Sequence, residues 1–242
     1  MESIEKRFIE LAERADERYY NTFSDFLNME EQSILSSLRL ETPFCLNGGY
    51  ASAERRIAVF GAGCESAVLP IKIIKIEPLS KKFADKLTHR DFLGSLMALG
   101  IRREMLGDIV VDDNTAVLFC LEAVAEFIVN ELSRIRRTSV KCSIVESAEN
   151  LVQSKAEERE LIAASERLDV IVAAVYGFSR SAVKEVFSER RIFVNSRLCE
   201  NFSYMPKEND VVSVRHCGRF IYCGVLGETK KGRKIIGIMQ YK

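Results

Sequence analysis

An α+β protein in three parts is what the sequence predicts, and three observations carry that reading. Helical spacing dominates the start of the chain, and residues 67–148 order as strand, helix, strand, strand, helix, strand. The charges also divide near residue 160. The formal charge is zero, with 35 Lys and Arg against 35 Asp and Glu, yet from Glu160 onward 14 cations meet 9 acids, and before it 21 meet 26. A neutral chain with a basic final third points to a polyanion partner. At 47% apolar and 29% charged residues the 242-residue chain is no disordered one. Its length suits one or two domains, or three small ones, at ~150 residues per domain.

Residues 1–66 read as an N-terminal helical region. Ile4, Phe8, Leu11 and Ala15 recur at helical spacing, and a second helix is expected over Met29–Leu38. Thr42–Tyr50 reads as a loop because Pro43 and the pair Gly48-Gly49 break regular structure. In residues 67–148, Ala67–Ile76 alternates as a strand, and Thr88 can cap a helix that Gly100 stops. Ile109–Val111 and Ala116–Phe119 flank Asp112-Asp-Asn-Thr115, a hairpin signal. Leu121–Arg136 shows a long helical pattern, with Arg134, Arg136 and Arg137 at the end where a helix dipole favours cations. Ser139–Val145 closes as a strand. That βαββαβ order is the ferredoxin-like split motif.

Residues 149–164 are expected as a linker, polar and charged from Glu149 to Arg159. In residues 165–242, Leu168, Ile171, Val172 and Val175 make one helical stripe that Gly177 ends. Ser179 is a good N-cap for a second helix reaching about Glu189. Strands follow over Ile192–Val194, Val211–Arg215, Phe220–Leu226 and Ile235–Met239.

Several function classes fall away. The longest uncharged run, Thr42–Ala53, is far short of the ~20 apolar residues of a spanning helix, and Met1–Arg7 lacks a signal peptide's apolar core. Seven scattered cysteines without a Cys-x-x-Cys fit a reduced cytoplasmic setting. His216, Cys217 and Cys223 come nearest to a metal site, and strand alternation accounts for them. Gly61-Ala-Gly63 opens like a dinucleotide loop but lacks the third glycine, and no phosphate loop or nucleophile elbow is present. No acid, base and nucleophile assemble, so neither an enzyme, a cofactor nor a small-molecule substrate is expected.

The basic third carries the candidate site. On a helix starting at Arg180, Val183, Val186 and Phe187 share one arc, while Arg180 and Lys184 sit together on its flank, four residues apart. Glu185 and Glu189 fall on the far side. The cations thus stand beside a helix N-terminus whose N–H groups attract phosphate. Arg190, Arg191 and Arg197 extend the patch into the next hairpin, and Arg215, Arg219 and Lys230–Lys234 add cations beyond.

Arg167-Leu-Asp169, Ser179-Arg180, Arg191-Ile-Phe-Val-Asn195 and Asp210-Val-Val-Ser-Val-Arg215, in that order, resemble the S4 RNA-binding domain. Phe23–Leu27, Gly48-Gly-Tyr50 with Glu54-Arg-Arg56, Arg90–Asp108 and Gly218-Arg-Phe220 extend the resemblance to the YlmH-like S4 proteins of bacteria and plastids. The resemblance implies an RRM-like middle domain and a C-terminal S4 domain of two helices and a small sheet. It implies partners among structured RNAs, rRNA and tRNA, on stalled ribosomal large subunits. It also implies an RNA surface of Arg167, Ser179, Arg180, Lys184, Arg191 and Asn195. Ser181, Arg190, Arg197, Arg215 and Arg219 complete the candidate set. Asp169 is expected to orient a cation, since a carboxylate repels phosphate. The chain departs from the family pattern where Ser196 replaces a turn glycine, Asn209 replaces the Gly before Asp210, and His216-Cys217 replaces Gly-Lys.

The expectation is a non-catalytic cytoplasmic RNA-binding protein associated with ribosomes, in translation quality control. Two alternatives stand beside it. One is an RNA-modifying enzyme, of pseudouridine synthase or methyltransferase type, anchored by an S4 domain. The other is a protein-interaction adaptor in cell division or photosystem assembly. Because an RRM stacks bases on strand aromatics and Thr115–Leu121 offers only Phe119, a structural or protein-docking role is equally open to the middle domain.

Overall fold

The computed structural model describes residues 3–80, 82, 84–147 and 156–241, and the α+β class is borne out. The chain divides into two compact units, residues 1–153 and 154–242.

The first unit opens with α1 (Ile4–Arg18), which buries Phe8, Ala12 and Ala15. β1 (Thr22–Phe23) follows, and then α2 (Met29–Ser37) begins at a capping box. There the Asn28 side chain accepts the Glu31 N–H at 3.0 Å and Glu31 returns the bond to the Asn28 N–H at 2.7 Å. β2 (Phe44–Asn47) and β3 (Ile57–Phe60) complete a three-stranded sheet ordered β1-β3-β2. Residues 1–66 are therefore not simply helical, and Thr42–Tyr50 is not simply a loop. The cause is tertiary: β3 is wholly buried, and the Phe44 and Phe60 rings pack 6.1 Å apart.

The chain continues as β4 (Ile71–Pro78), α3 (His89–Ala98), β5 (Leu106–Asp112), β6 (Thr115–Leu121), α4 (Glu122–Glu131), β7 (Arg134–Ile135) and β8 (Thr138–Val145). The sheet order β5-β6-β4-β8-β7, antiparallel throughout, sets the first strand between the third and fourth of the predicted series. Thr88 caps α3 with Asp91, and Asp113 and Asn114 take the positive φ values, 42° and 64°, of a two-residue hairpin turn. Two boundaries differ from expectation. β4 begins at Ile71, after Pro70, rather than at Ala67. The helix expected through Arg136 stops at Glu131, because Ile135 is buried and the chain turns at Arg136 (φ 53°) to pair β7 with β8. Arg134, Arg136 and Arg137 consequently stand in a hairpin and not at a helix C-terminus.

Helices α3 and α4 cover one face of this sheet over Ile74, Ile76, Phe92, Leu96 and Ile128. Its other face meets the three-stranded sheet, where Phe26, Ile57 and Val59 pack with Val117 and Phe119 in one cluster. The boundary expected at residue 66 is thus crossed by a shared core.

The second unit starts with β9 (Ala156–Ala163), then α5 (Leu168–Tyr176), α6 (Arg180–Ser188), β10 (Ile192–Val194), β11 (Arg197–Leu198), β12 (Val211–Val214), β13 (Gly218–Glu228) and β14 (Lys234–Tyr241). They form one sheet ordered β11-β10-β12-β13-β14-β9. Of the linker expected over 149–164, residues 149–155 lie outside the described residues, while 156–163 pair along all of β14. Leu161 and Ala163 reach the core from this strand, a contribution the run of charged residues before Leu161 conceals. Leu168, Ile171, Val172, Val183 and Phe187 pack against Phe220 and Ile236, so the predicted apolar stripes of both helices face the sheet. Among the described residues no helix is long and apolar enough to cross a membrane, and no group of three potential metal ligands occurs.

Candidate nucleic-acid interface

Helices α5 and α6 meet at Gly177, whose φ of 69° lets the chain reverse. The Ser179 hydroxyl then accepts the Ala182 N–H at 3.2 Å and lies 2.9 Å from the Ser181 hydroxyl, so both serines serve the start of α6. Burial of Val183, Val186 and Phe187 fixes the rotation of α6 and leaves Arg180 and Lys184 exposed. Among the described residues no acid lies within ion-pair reach of either cation. Arg167, at the N-cap of α5, forks onto Asp169, with Nε–Oδ1 at 3.1 Å and Nη2–Oδ2 at 2.8 Å. Asp169 does orient a cation, as expected.

These three cations line a single cavity of about 510 Å³ whose walls include Val170, Val183 and Phe202. Phe202 has no counterpart in the sequence-based set. Its one signal was a phenylalanine in the loop between β11 and β12, where Tyr204 and Met205 also stand. The ring stacks on Phe187 at 4.4 Å, and its carbonyl accepts the Asp169 N–H at 3.3 Å, which ties the loop to α5.

The remaining candidates divide. Arg197 is exposed on β11, and Arg190 pairs loosely with Glu200 at 3.6 Å. Arg191 is turned to structural work: Nε and Nη2 donate to the Arg215 carbonyl at 3.1 and 2.7 Å, and Nη1 meets Glu189 at 3.1 Å. Arg215 lies over the Phe193 ring, 5.6 Å from its centre, and Arg219 sits in β13 opposite Ser213. Asn195 spends its whole amide on the β10–β12 corner. Its Nδ2 donates to Asp210 at 2.7 Å and its Oδ1 accepts the Val211 N–H at 2.9 Å. Asp210 also accepts from the Tyr204 hydroxyl and the Lys207 N–H, each at 2.9 Å. Burial, reinforced by that carboxylate, pushes the Tyr204 phenol up to about 12. Asn195, Ser196 and Asn209 all adopt positive φ (49°, 65°, 71°), which explains the two asparagines and leaves Ser196 strained.

In the first unit the motifs that carried the resemblance form a closed knot. Asp108 accepts the Tyr50 hydroxyl at 2.8 Å and the Glu54 and Arg55 N–H groups at 2.6 and 3.0 Å. Arg55 donates to the Leu106 and Phe26 carbonyls, at 2.9 and 2.8 Å, and Arg103 donates to Leu106 at 2.6 Å. Burial, then the neighbouring Arg55, lowers the Arg103 guanidinium to about 10, while burial and Arg103 lower His89. Tyr50 stacks on Phe119 at 4.6 Å, and a Cβ on Gly49 or Gly107 would collide with Phe119 or Phe26 at 2.9 and 2.7 Å. Phe119 is 0% exposed. No face of it is open to a base.

Arg180 and Lys184 edge a cavity on a unit of net positive charge, an α+β unit with the kind of surface that attracts polyanions. Residues 67–149 match a family model described as a putative RNA-binding domain in YlmH. The ribosome-associated protein quality control protein P2 of Bacillus subtilis (strain 168) is 28% identical over 223 residues, covering 90% of this chain and 86% of the relative. A solved structure, the cell division protein ylmH from Streptococcus pneumoniae, is 22% identical and spans 63% of this chain and 98% of its own, with a TM-score of 0.47. The family match and the relative support the YlmH-like RNA-binding family that the sequence resembles.

Proposed function

We propose that the protein binds structured RNA of the ribosome, rRNA and tRNA at the large subunit, without catalysis, and that α5 and α6 form the contact. The observation that carries this reading is the pair Arg180 and Lys184, one turn apart and free of acidic partners among the described residues, at the start of a capped helix. Two helices leading into a strand cluster support the S4 assignment of this unit, and the relative named for ribosome-associated protein quality control supports a role in quality control at the ribosome. A binding role without chemistry is supported by the fate of the reactive groups. Burial pushes the Cys120 and Cys142 thiols up to about 12 and 11, far from a nucleophile's range, and Asp108 and Asp210 are committed to local hydrogen bonds.

The test is the full chain carrying Arg180→Ala and Lys184→Ala, sedimented with ribosomes through a sucrose gradient. A folded double variant is expected to leave the ribosomal fractions. Full co-sedimentation by the folded variant overturns the assignment of α6. For the native protein, about four phosphate contacts give a slope of log K against log salt near −3 to −4, at roughly 0.7–0.9 per contact. A slope near zero points instead to stacking or to a protein partner.

A further inference from the structure

We infer that the cavity between α5 and α6 receives one unstacked nucleobase of the bound RNA, with the phosphates flanking that base on Arg180 and Lys184. The inference rests on the RNA-binding reading above and adds to it a shape of ligand. A duplex backbone asks of a protein only a cationic face, and an apolar hollow beneath that face would add nothing to it. Here the hollow measures about 510 Å³, within the size range of sites that enclose small organic groups. Its walls at Val170, Val183 and Phe202 are apolar, and its charged members are Arg167, Arg180 and Lys184 against the single carboxylate of Asp169. An apolar slot edged by cations is complementary to a flat heterocycle carried on an anionic backbone. Bases inside a helix are stacked and cannot enter, whereas bases of bulges and loops are splayed out and bind to aromatic rings or guanidinium planes.

Both kinds of plane are present and already held in place. Phe202 is stacked on Phe187, which is buried, so its position does not await the ligand. Arg167, in the cavity lining, is gripped by both oxygens of Asp169, which restrains its guanidinium plane. Preorganisation of this sort removes the ordering cost that otherwise offsets base binding.

Three hairpin RNAs of one stem sequence test the inference on the full-length protein: one fully paired, one with a single bulged 2-aminopurine, one with an abasic bulge. The 2-aminopurine RNA is expected to bind about tenfold more tightly than the other two, the size of one base-aromatic contact. Its fluorescence is expected to change on binding. Ala173→Leu, which fills the cavity from α5, should equalise the three RNAs at the affinity of the paired one, and so should Phe202→Ala, which removes one wall while filling nothing. Equal binding of all three RNAs by the native protein overturns the base pocket and leaves the RNA reading standing. Failure to bind any of them counts against both. A preference for the bulge that survives both substitutions places the base elsewhere.

Discussion

Arginine does opposite things in the two units. In residues 1–153, Arg55 and Arg103 sit in the stretches that most resemble the YlmH-like proteins, yet they turn inward and donate to backbone carbonyls around Asp108. In residues 154–242, Arg180 and Lys184 turn outward beside a cavity and meet no acid among the described residues. The difference lies in what the guanidinium donates to. A cation whose hydrogen bonds are all spent on its own chain holds a shape, and one whose bonds are open recruits an anion. A basic motif therefore has no functional meaning until its donors are accounted for.

Asp108→Ala gives the sharpest break in that contrast. It removes one carboxylate that accepts three hydrogen bonds and leaves two half-buried arginines with less compensation, so the first unit should lose about 3 kcal/mol of stability. Urea unfolding reads the change, and a midpoint equal to the native one would show that the knot is ornamental. Asn195→Ala should come next, at about 1.5 kcal/mol, because it takes one donor from the buried Asp210 and frees the Val211 N–H. If RNA affinity then fell much more than stability, Asn195 would belong with the open cations after all. Arg180→Ala is the smallest in stability, moving the melting temperature by less than about 2 °C while RNA affinity drops. Calorimetry and a gel-shift titration on the same sample decide it, and an unfolded variant would move Arg180 into the structural class.

The second unit was the more legible from sequence because its signals are local. Ser179, Gly177 and the stripe of Val183, Val186 and Phe187 act within one or two helical turns, and their geometry follows from spacing alone. What stayed hidden depends on distant partners. The strand of residues 156–163 looks like a solvated linker because its charged side chains face out while its backbone pairs with β14, some 80 positions later. Arg134, Arg136 and Arg137 continue a helical pattern until the buried Ile135 claims a strand. The cover over Phe119 comes from Gly49 and Tyr50, which a reading of the β6 segment alone does not contain. For α6 the spacing foretold which side chains are buried and that Arg180 and Lys184 stand exposed. Spacing could not separate Asn195 and Arg191, whose side chains bond to neighbouring turns, from cations left without acidic partners among the described residues.

The pairing of β9 with β14 also has a consequence for how the second unit can be handled. Tyr241 lies opposite Ala156 in the sheet, so the chain enters and leaves this unit at the same place. A segment whose two ends meet is a cassette: it can be spliced into a surface turn of a host protein without prising the host apart. The same closeness allows circular permutation, with a short peptide joining the old ends and new ones opened at the exposed turn of Lys230–Gly232. The cationic helices would ride along unchanged, since neither α5 nor α6 lies at the seam.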